Sequence, residues 1–140
     1  YETLNAIDKE LKKHNSSLLI KVGNPIDVWK KLSEDYSVQT VFTNKDYEPY
    51  AIKRDVKVEE FLNSKNIQFK AFKDQVIFEE NEVLKNDGLP YTVFTPYKNK
   101  WLQHFSEEKD TVEYKIELDN FHEFNVDFPS LKSIGFEISK

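Results

Sequence analysis

"VFTNKDYEPYAIKRDVKVEEF", residues 41–61, contains two different hydrophobic patterns separated by a polar loop. With Val38, the first residues form an apolar run typical of a buried strand in a parallel sheet. After the loop, a charged segment follows with helical spacing. Capped by Asp46 or a neighbour, this helix is expected to turn Ile52, Val56 and the pair Phe61–Leu62 inward and to end near Ser64. The stretch therefore predicts a strand, a loop and a helix in direct succession.

The flanking sequence repeats this alternation of helix and strand. Helices are predicted over 2–14, from Asn24 to about Leu32 and after Asp46; strands are predicted over 18–22, 38–42, 67–72 and 76–78. Alternating helices and strands are the signature of a parallel sheet with crossover helices. The sequence therefore predicts an α/β fold, with the loop after residue 42 at the edge of the sheet where such folds bind ligands.

The second half of the chain has a different pattern. Thr95 is predicted to cap a helix with Pro96 at its first position, and this helix extends to about Phe105. From residue 107 to 128 acidic residues alternate with aromatic ones without a clean period, which favours an extended linker. A last helical turn is predicted after Pro129, ended by Gly135.

Composition excludes several classes of site. The chain has 140 residues, a net charge of −5 and no cysteine, so thiolate chemistry and disulfides are excluded and a reducing cytoplasm is favoured. Basic residues are scattered, which argues against nucleic-acid binding by this chain alone. The apolar runs are too short to span a membrane. Three isolated histidines and three scattered glycines predict no metal site, no catalytic residue and no phosphate loop.

Asp46, Glu48 and Tyr50 are the candidate binding residues, and two interpretations of them are open. In one, Asp46 caps the helix and Glu48 favours its first turn through the helix dipole. In the other, the two carboxylates face a cleft and bind a planar ligand, with Tyr47 or Tyr50 beside it. Composition does not choose between these interpretations.

Residues 44–62, "NKDYEPYAIKRDVKVEEFL", together with "YTVFTPYKNKWL" (91–102), closely resemble the amino-terminal α/β domain of the DNA photolyase/cryptochrome family. The ending "FPSLKSIGFE" (128–137) is similar to the start of the family's connection to its flavin domain. The resemblance implies a Rossmann-like parallel sheet, truncated at its N-terminal side. It implies residues 1–106 as a partial antenna domain and 107–140 as a linker toward an FAD-binding helical domain.

The resemblance also implies a function for the parent protein. Family members bind FAD and use blue light, either to repair pyrimidine dimers in damaged DNA or, in cryptochromes, for signalling. The expectation is an antenna-bearing fragment of a deoxyribodipyrimidine photolyase that is not catalytic alone. A cryptochrome domain is the first alternative, and a non-enzymatic nucleotide-binding α/β module is the second.

The type of antenna chromophore follows from the same comparison. In folate-type members an Asn-Glu pair contacts the folate, but Tyr50 and Ala51 stand at those positions and cannot make the same hydrogen bonds. Asp46 and Glu48 match the acidic residues of deazaflavin-type members, so a flavin-like antenna, deazaflavin or FMN, is expected and folate is disfavoured. Tyr50 would lie beside the ring.

The truncation implied by the resemblance predicts an incomplete sheet. In the family's sheet, the missing strands would lie side by side between the strand predicted at 18–22 and the strand predicted at 38–42. Without them, the strands at 18–22 and 38–42 either pair directly with each other or leave exposed edges. Bare strand edges invite pairing with another chain. Strand-mediated self-association is therefore expected.

Overall fold

Two helices precede a strand–helix–strand unit in the first half of the chain, in a computed structural model that describes residues 1–117 and 120–137. We name the α-helices α1 to α5 and the strands β1 and β2. In chain order the elements are α1 (Glu2–Lys12), α2 (Pro25–Asp35), β1 (Thr40–Asn44), α3 (Pro49–Ser64), β2 (Gln68–Phe72), α4 (Phe94–His104), α5 (Glu107–Asp110) and a 3-10 helix (Lys132–Ile134).

The sheet consists of two parallel strands in the described part of the chain. Thr40 of β1 pairs with Gln68 of β2, and the register continues to Asn44 opposite Phe72. Helix α3 is the crossover that joins them, as parallel strands require. This arrangement confirms the predicted α/β class, and two of the four predicted strands, those at 38–42 and 67–72, are found within two residues of their expected positions.

The apolar core lies between α3 and the sheet. Val41, Val58, Leu62 and Ile67 are buried together, and the side chain of Leu62 is 0% exposed. Four partly buried side chains surround them: Trp29, Val38, Phe61 and Phe69. The core thus fixes the strand β1, and with it the loop that follows.

Helix α3 turns a different face inward from the predicted one. The buried residues are Ala51, Val58 and Leu62, whereas Ile52 is 50% and Val56 is 48% exposed. Residues 51, 58 and 62 share one side of a helix because their spacing of seven and four residues corresponds to nearly whole turns. The prediction for Leu62 is confirmed, and the inward orientation of Ile52 and Val56 is wrong.

Two further predicted strands are not formed. Residues 18–22 have no strand partner, and the amide of Leu18 donates instead to the carboxylate of Asp8, at 2.9 Å. Residues 76–78 are bends and irregular backbone, and the ring of Phe78 packs edge-on against Trp101 of α4. At residue 18 the backbone amide that a strand would have used donates to a side chain instead.

Helix α4 begins earlier than predicted. Its N-cap is Val93, so Thr95 lies inside the first turn and does not cap the helix. The helix ends at His104, as expected, and Trp101 stacks on Phe105 with ring centroids 5.1 Å apart.

The structure divides into two compact units, Trp29–Tyr114 and a unit formed by Tyr1–Val28 with the described part of residues 115–140. In the second unit the 3-10 helix ends at Gly135, whose φ of 89° is left-handed, which confirms the predicted final turn. The proposed boundary between a domain at 1–106 and a linker at 107–140 stays a prediction.

Candidate functional site

The loop of residues 45–48 leaves the sheet at the carboxyl end of β1. The amide of Lys45 donates to the carbonyl of Phe72 at 2.8 Å, so strand pairing continues into the first residue of the loop. In open α/β sheets this edge is the usual place for a ligand. The fold therefore puts the predicted site residues where the sequence placed them.

Asp46 shapes the loop and does not cap the helix. Its Oδ1 accepts a hydrogen bond from the amide of Glu48 at 3.1 Å, which closes a turn just before α3. Glu48 is the N-cap residue, with extended backbone angles, and its carbonyl accepts the amide of Ile52 at 3.0 Å. No side chain makes a capping hydrogen bond, so the interpretation of Asp46 as the helix cap is wrong.

The three predicted residues lie together over the loop and the first turn of α3. Asp46 is partly buried, Glu48 is exposed, and Tyr50 is 69% exposed. Pro49 occupies the first helical position, where its missing amide hydrogen leaves no bond unmade. Two carboxylates and an exposed aromatic ring thus stand at one helix start.

Arg54 lies on the second turn of α3, one helical turn after Tyr50, and is not among the site residues predicted from the sequence. Its Nε donates to Oδ1 of Asp55 at 2.7 Å, and its side chain is only 31% exposed. The hydrogen bond with Asp55 raises the pKa of Arg54; the charges of Asp55 and Asp46 add to this effect, while burial opposes it. Long side chains on helices lean toward the N-terminus, a signal that could have placed Arg54 near the loop.

Two ion pairs fasten a second segment to the same edge of the sheet. Lys45 at the end of β1 binds both carboxylate oxygens of Glu79, at 2.8 and 2.9 Å. Lys73, just after β2, binds Glu82 at 2.9 Å, and Glu82 also accepts the amide of Glu79. The hydrogen bond with Glu79 raises the pKa of Lys45, and the bond with Glu82 raises that of Lys73.

Tyr47 lies between Asp46 and Glu48 in the sequence, and its hydroxyl group is buried. Among the described residues, it is the buried side-chain polar atom that has no hydrogen-bond partner. Burial is the main cause that raises its pKa, followed by the nearby charge of Glu79. Its burial fixes the backbone from which the two carboxylates project.

Residues 1–117 and 120–137 contain no group of histidine, cysteine, aspartate or glutamate side chains suited to a metal ion. In the same ranges no helix is long and apolar enough to cross a membrane. The chemistry available at the site is therefore that of carboxylate acceptors, a guanidinium donor and an aromatic ring.

Comparison with known families decides which family this site belongs to. The model of the DNA photolyase family matches residues 1–114. The chain belongs to the DNA photolyase family. This membership confirms the resemblance drawn from residues 44–62 and 91–102.

Individual relatives agree with the family match. The chain is 29% identical over 123 residues to the deoxyribodipyrimidine photo-lyase of Alkalihalophilus pseudofirmus, covering 87% of this chain and 26% of that protein. It is 35% identical over 82 residues to that of Escherichia coli, covering 59% of this chain and 17% of that protein. Cryptochrome-1 of Spalax judaei is 22% identical over 150 residues, with 97% of this chain and 25% of that protein covered.

A solved structure shows the same fold. The crystal structure of a bacterial class III photolyase from Agrobacterium tumefaciens superposes with a TM-score of 0.67 at 24% identity, covering 76% of this chain and 22% of that one. The photolyase-family chain described here thus spans about a quarter of the length of the curated relatives it matches.

Proposed function

We propose that this chain is the antenna-bearing N-terminal region of a blue-light-dependent deoxyribodipyrimidine photolyase. The observation that carries the proposal is the family match over residues 1–114, with relatives named as deoxyribodipyrimidine photo-lyases. FAD supplies the light-driven electron transfer in such a protein, and we assign its site to the rest of the parent chain. The residues of this chain hold a second chromophore and do not carry out the repair.

Contact with damaged DNA is likewise assigned to the rest of the parent protein. This chain has a net charge of −5, and its lysines at the sheet edge are paired with glutamates. Because phosphate contacts depend on unneutralised basic side chains, we expect no DNA binding by this chain alone. We place the protein in the cytoplasm, in line with its lack of cysteine.

The donor and acceptor groups of the site fit a flavin-type ring. Carboxylates of Asp46 and Glu48 accept from a ring N–H, and the exposed ring of Tyr50 can lie against a planar system. We therefore propose deazaflavin or FMN as the antenna chromophore. Folate is disfavoured, because Tyr50 and Ala51 offer neither the amide nor the carboxylate of the folate-type pair and Ala51 is buried.

The deciding experiment is the absorption spectrum of the full-length protein, followed by illumination with DNA that contains pyrimidine dimers. We expect FAD absorption, a second flavin-like band and light-dependent loss of dimers. A protein without FAD would refute the proposal. FAD without repair would favour the cryptochrome alternative, which the match to Cryptochrome-1 over 97% of the chain makes the second candidate.

A separate proposal concerns self-association of the 140-residue chain. In the described part of the chain β1 pairs with β2 on one side, and Phe42 on β1 is largely exposed. Unpaired strand edges and apolar side chains favour association between copies. Sedimentation equilibrium of this chain should therefore show dimers or larger species, whereas a monomer at all concentrations would contradict the proposal.

A further inference from the structure

Residues 74–82, which we call the strap, follow β2 and contain no helix or strand. Phe72, the last residue of β2, fixes the start of the strap, and Val83, which is 5% exposed, fixes its end. Between these two points no regular ladder of backbone hydrogen bonds is available. Side-chain contacts therefore decide where the strap lies.

Two ion pairs of the strap belong to one connected network. Glu79 accepts from Lys45 at 2.8 and 2.9 Å, and Glu82 accepts from Lys73 at 2.9 and 3.2 Å. Glu82 also accepts the amide of Glu79 at 2.6 Å, and its own amide donates to the carbonyl of Glu79 at 3.0 Å. Loss of either ion pair therefore loosens the residue that carries the other.

Phe78 joins the same strap to helix α4. Its ring meets the ring of Trp101 edge-on, with centroids 5.3 Å apart, and lies 6.2 Å from the ring of His104. The ammonium group of Lys73 is 5.8 Å from the centroid of the Phe78 ring. Since Lys73 contacts the ring and Phe78 directly precedes Glu79, the aromatic and ionic contacts hold one segment.

Salt acts on the ionic contacts and spares the core. The side chains of the pair Lys45–Glu79 are 41% and 27% exposed, and those of Lys73–Glu82 are 34% and 44% exposed. Dissolved ions screen the attraction between charges that are this accessible. The core between α3 and the sheet is apolar, so screening does not weaken it.

We propose that the strap opens as one unit when ionic strength rises, releasing Phe78 from Trp101 while the core stays folded. Local opening of this kind takes less free energy than global unfolding, because the strap lacks a helix or strand and depends on partly exposed contacts. The closed strap joins the edge of the sheet to α4, and the open strap leaves them independent. This inference concerns the folded chain and does not depend on the proposed function.

Nuclear magnetic resonance of the chain measures both kinds of contact. The protection of the Glu82 amide from exchange reports on the ionic part, and the nuclear Overhauser effect between the rings of Phe78 and Trp101 reports on the aromatic part. Between about 0.02 M and about 1 M NaCl, we expect the protection of Glu82 to fall about tenfold and the Overhauser effect to weaken. Protection of the Leu62 amide, in the core, should change little.

Two variants test whether the ionic and aromatic contacts open together. Glu79→Gln removes the ion pair at the end of β1 and should weaken the Overhauser effect between Phe78 and Trp101, although neither ring is altered. Phe78→Leu keeps an apolar side chain but removes the ring, and it should lower the protection of Glu82 at low salt. Glu80→Gln removes the same charge from an exposed position of the strap and should change neither signal.

Three outcomes would overturn the proposal. Protection of Glu82 that is equal at the two salt concentrations would show that screening does not open the strap. Faster exchange in Glu79→Gln with an unchanged contact between Phe78 and Trp101 would show that the two kinds of contact are independent. Loss of protection at Leu62 in step with Glu82 would show that salt acts on the whole fold.

Discussion

The two compact units of the chain are stabilised by different kinds of contact. In Trp29–Tyr114 the centre is apolar, with Val41, Val58 and Leu62 buried between α3 and the sheet. In the unit that contains Tyr1–Val28, the buried residues include the carboxylate of Asp8, 1% exposed, and Ser16. The first unit resembles an ordinary α/β core, whereas buried polar contacts hold irregular backbone in the second.

This difference matters because the two kinds of contact respond to different perturbations. Apolar burial scales with the area removed from water and depends little on pH. Hydrogen bonds to a buried carboxylate depend on its ionisation and lose their value when one partner is removed. We therefore expect the stability of the unit Trp29–Tyr114 to be lowered most by cavities in its core. The stability of the unit that contains Tyr1–Val28 should be lowered most by the loss of single polar groups and by acid.

The largest expected effect is that of Leu62→Ala in the apolar unit. Truncating a fully buried leucine leaves a cavity and should lower the free energy of unfolding by about 2–5 kcal/mol. Urea denaturation followed by tryptophan fluorescence reports on this unit, because Trp29 packs against the core and Trp101 belongs to the same unit. The control is Ile52→Ala, at a half-exposed position of the same helix, for which we expect less than about 1 kcal/mol. Equal losses for the two variants would contradict the core described here.

Acid should act through Asp8 in the other unit. Hydrogen bonds from Lys12 and then from the amide of Leu18 lower the pKa of Asp8, although burial opposes them. A carboxylate with a lowered pKa stabilises the fold above its unfolded pKa, and this contribution is lost as pH falls through the folded value. We expect Asp8→Asn to cost about 1–3 kcal/mol near neutral pH and to flatten the loss of stability below about pH 4.

Lys12→Ala provides the matched variant for this prediction. It removes the first cause of the lowered pKa but keeps the hydrogen bond from Leu18, so the acid transition should move to higher pH without vanishing. The measurement is urea denaturation at a series of pH values, followed by amide exchange at Leu18. An unchanged acid transition in both variants would show that Asp8 does not control the response of this unit to acid.

The same contrast explains how much of the fold the sequence predicted. Strands β1 and β2 and the presence of helix α3 were predicted correctly from apolar runs and helical spacing, although the spacing of Ile52 and Val56 pointed to the wrong face of α3. The strand predicted at 18–22 is not formed, and the amide of Leu18 donates instead to the side chain of Asp8, ten positions earlier. The hydrophobic periodicity of a sequence does not indicate a hydrogen bond between a side chain and a distant backbone amide.

The candidate site shows the same limit. Asp46, Glu48 and Tyr50 were placed at the sheet edge by local pattern and resemblance, and the structure locates them there. Arg54 was not predicted as a neighbour of these residues, because its position depends on which way a long side chain leans and on its bond to Asp55.

Ser17 provides a smaller test of the polar unit. Its hydroxyl donates to the carbonyl of Phe124 at 2.8 Å and accepts the amide of Val126 at 3.1 Å, which fastens two distant segments together. Ser17→Ala should cost about 1 kcal/mol and accelerate amide exchange at Val126. Ser64→Ala is the control, because it removes a local hydrogen bond to Phe61 at an exposed helix end. If exchange at Val126 is as slow in Ser17→Ala as in wild type, this contact does not hold the segment.

The smallest change in global stability is expected on removal of the ion pair between Lys45 and Glu79, a polar contact in the apolar unit. Both side chains are partly exposed, so water and salt screen their attraction and Glu79→Gln should change global stability less than Ser17→Ala does. Local amide exchange at Glu82 should nevertheless become faster, since this amide bonds the carbonyl of Glu79 and the ion pair holds the segment against β1. In about 1 M salt the wild-type protein should exchange as fast as the variant, because screening acts within a few ångströms.

Glu80→Gln, at the exposed neighbouring position, is the control for this last variant and should leave exchange at Glu82 unchanged. A loss of global stability in Glu79→Gln comparable to that of Leu62→Ala would contradict the difference described between the two units. It would mean that an ion pair at the sheet edge stabilises the apolar unit as much as its core does. A purely local, salt-dependent effect would instead show that the pair fixes the position of residues 79–82 beside the site, while burial of Leu62 maintains the fold.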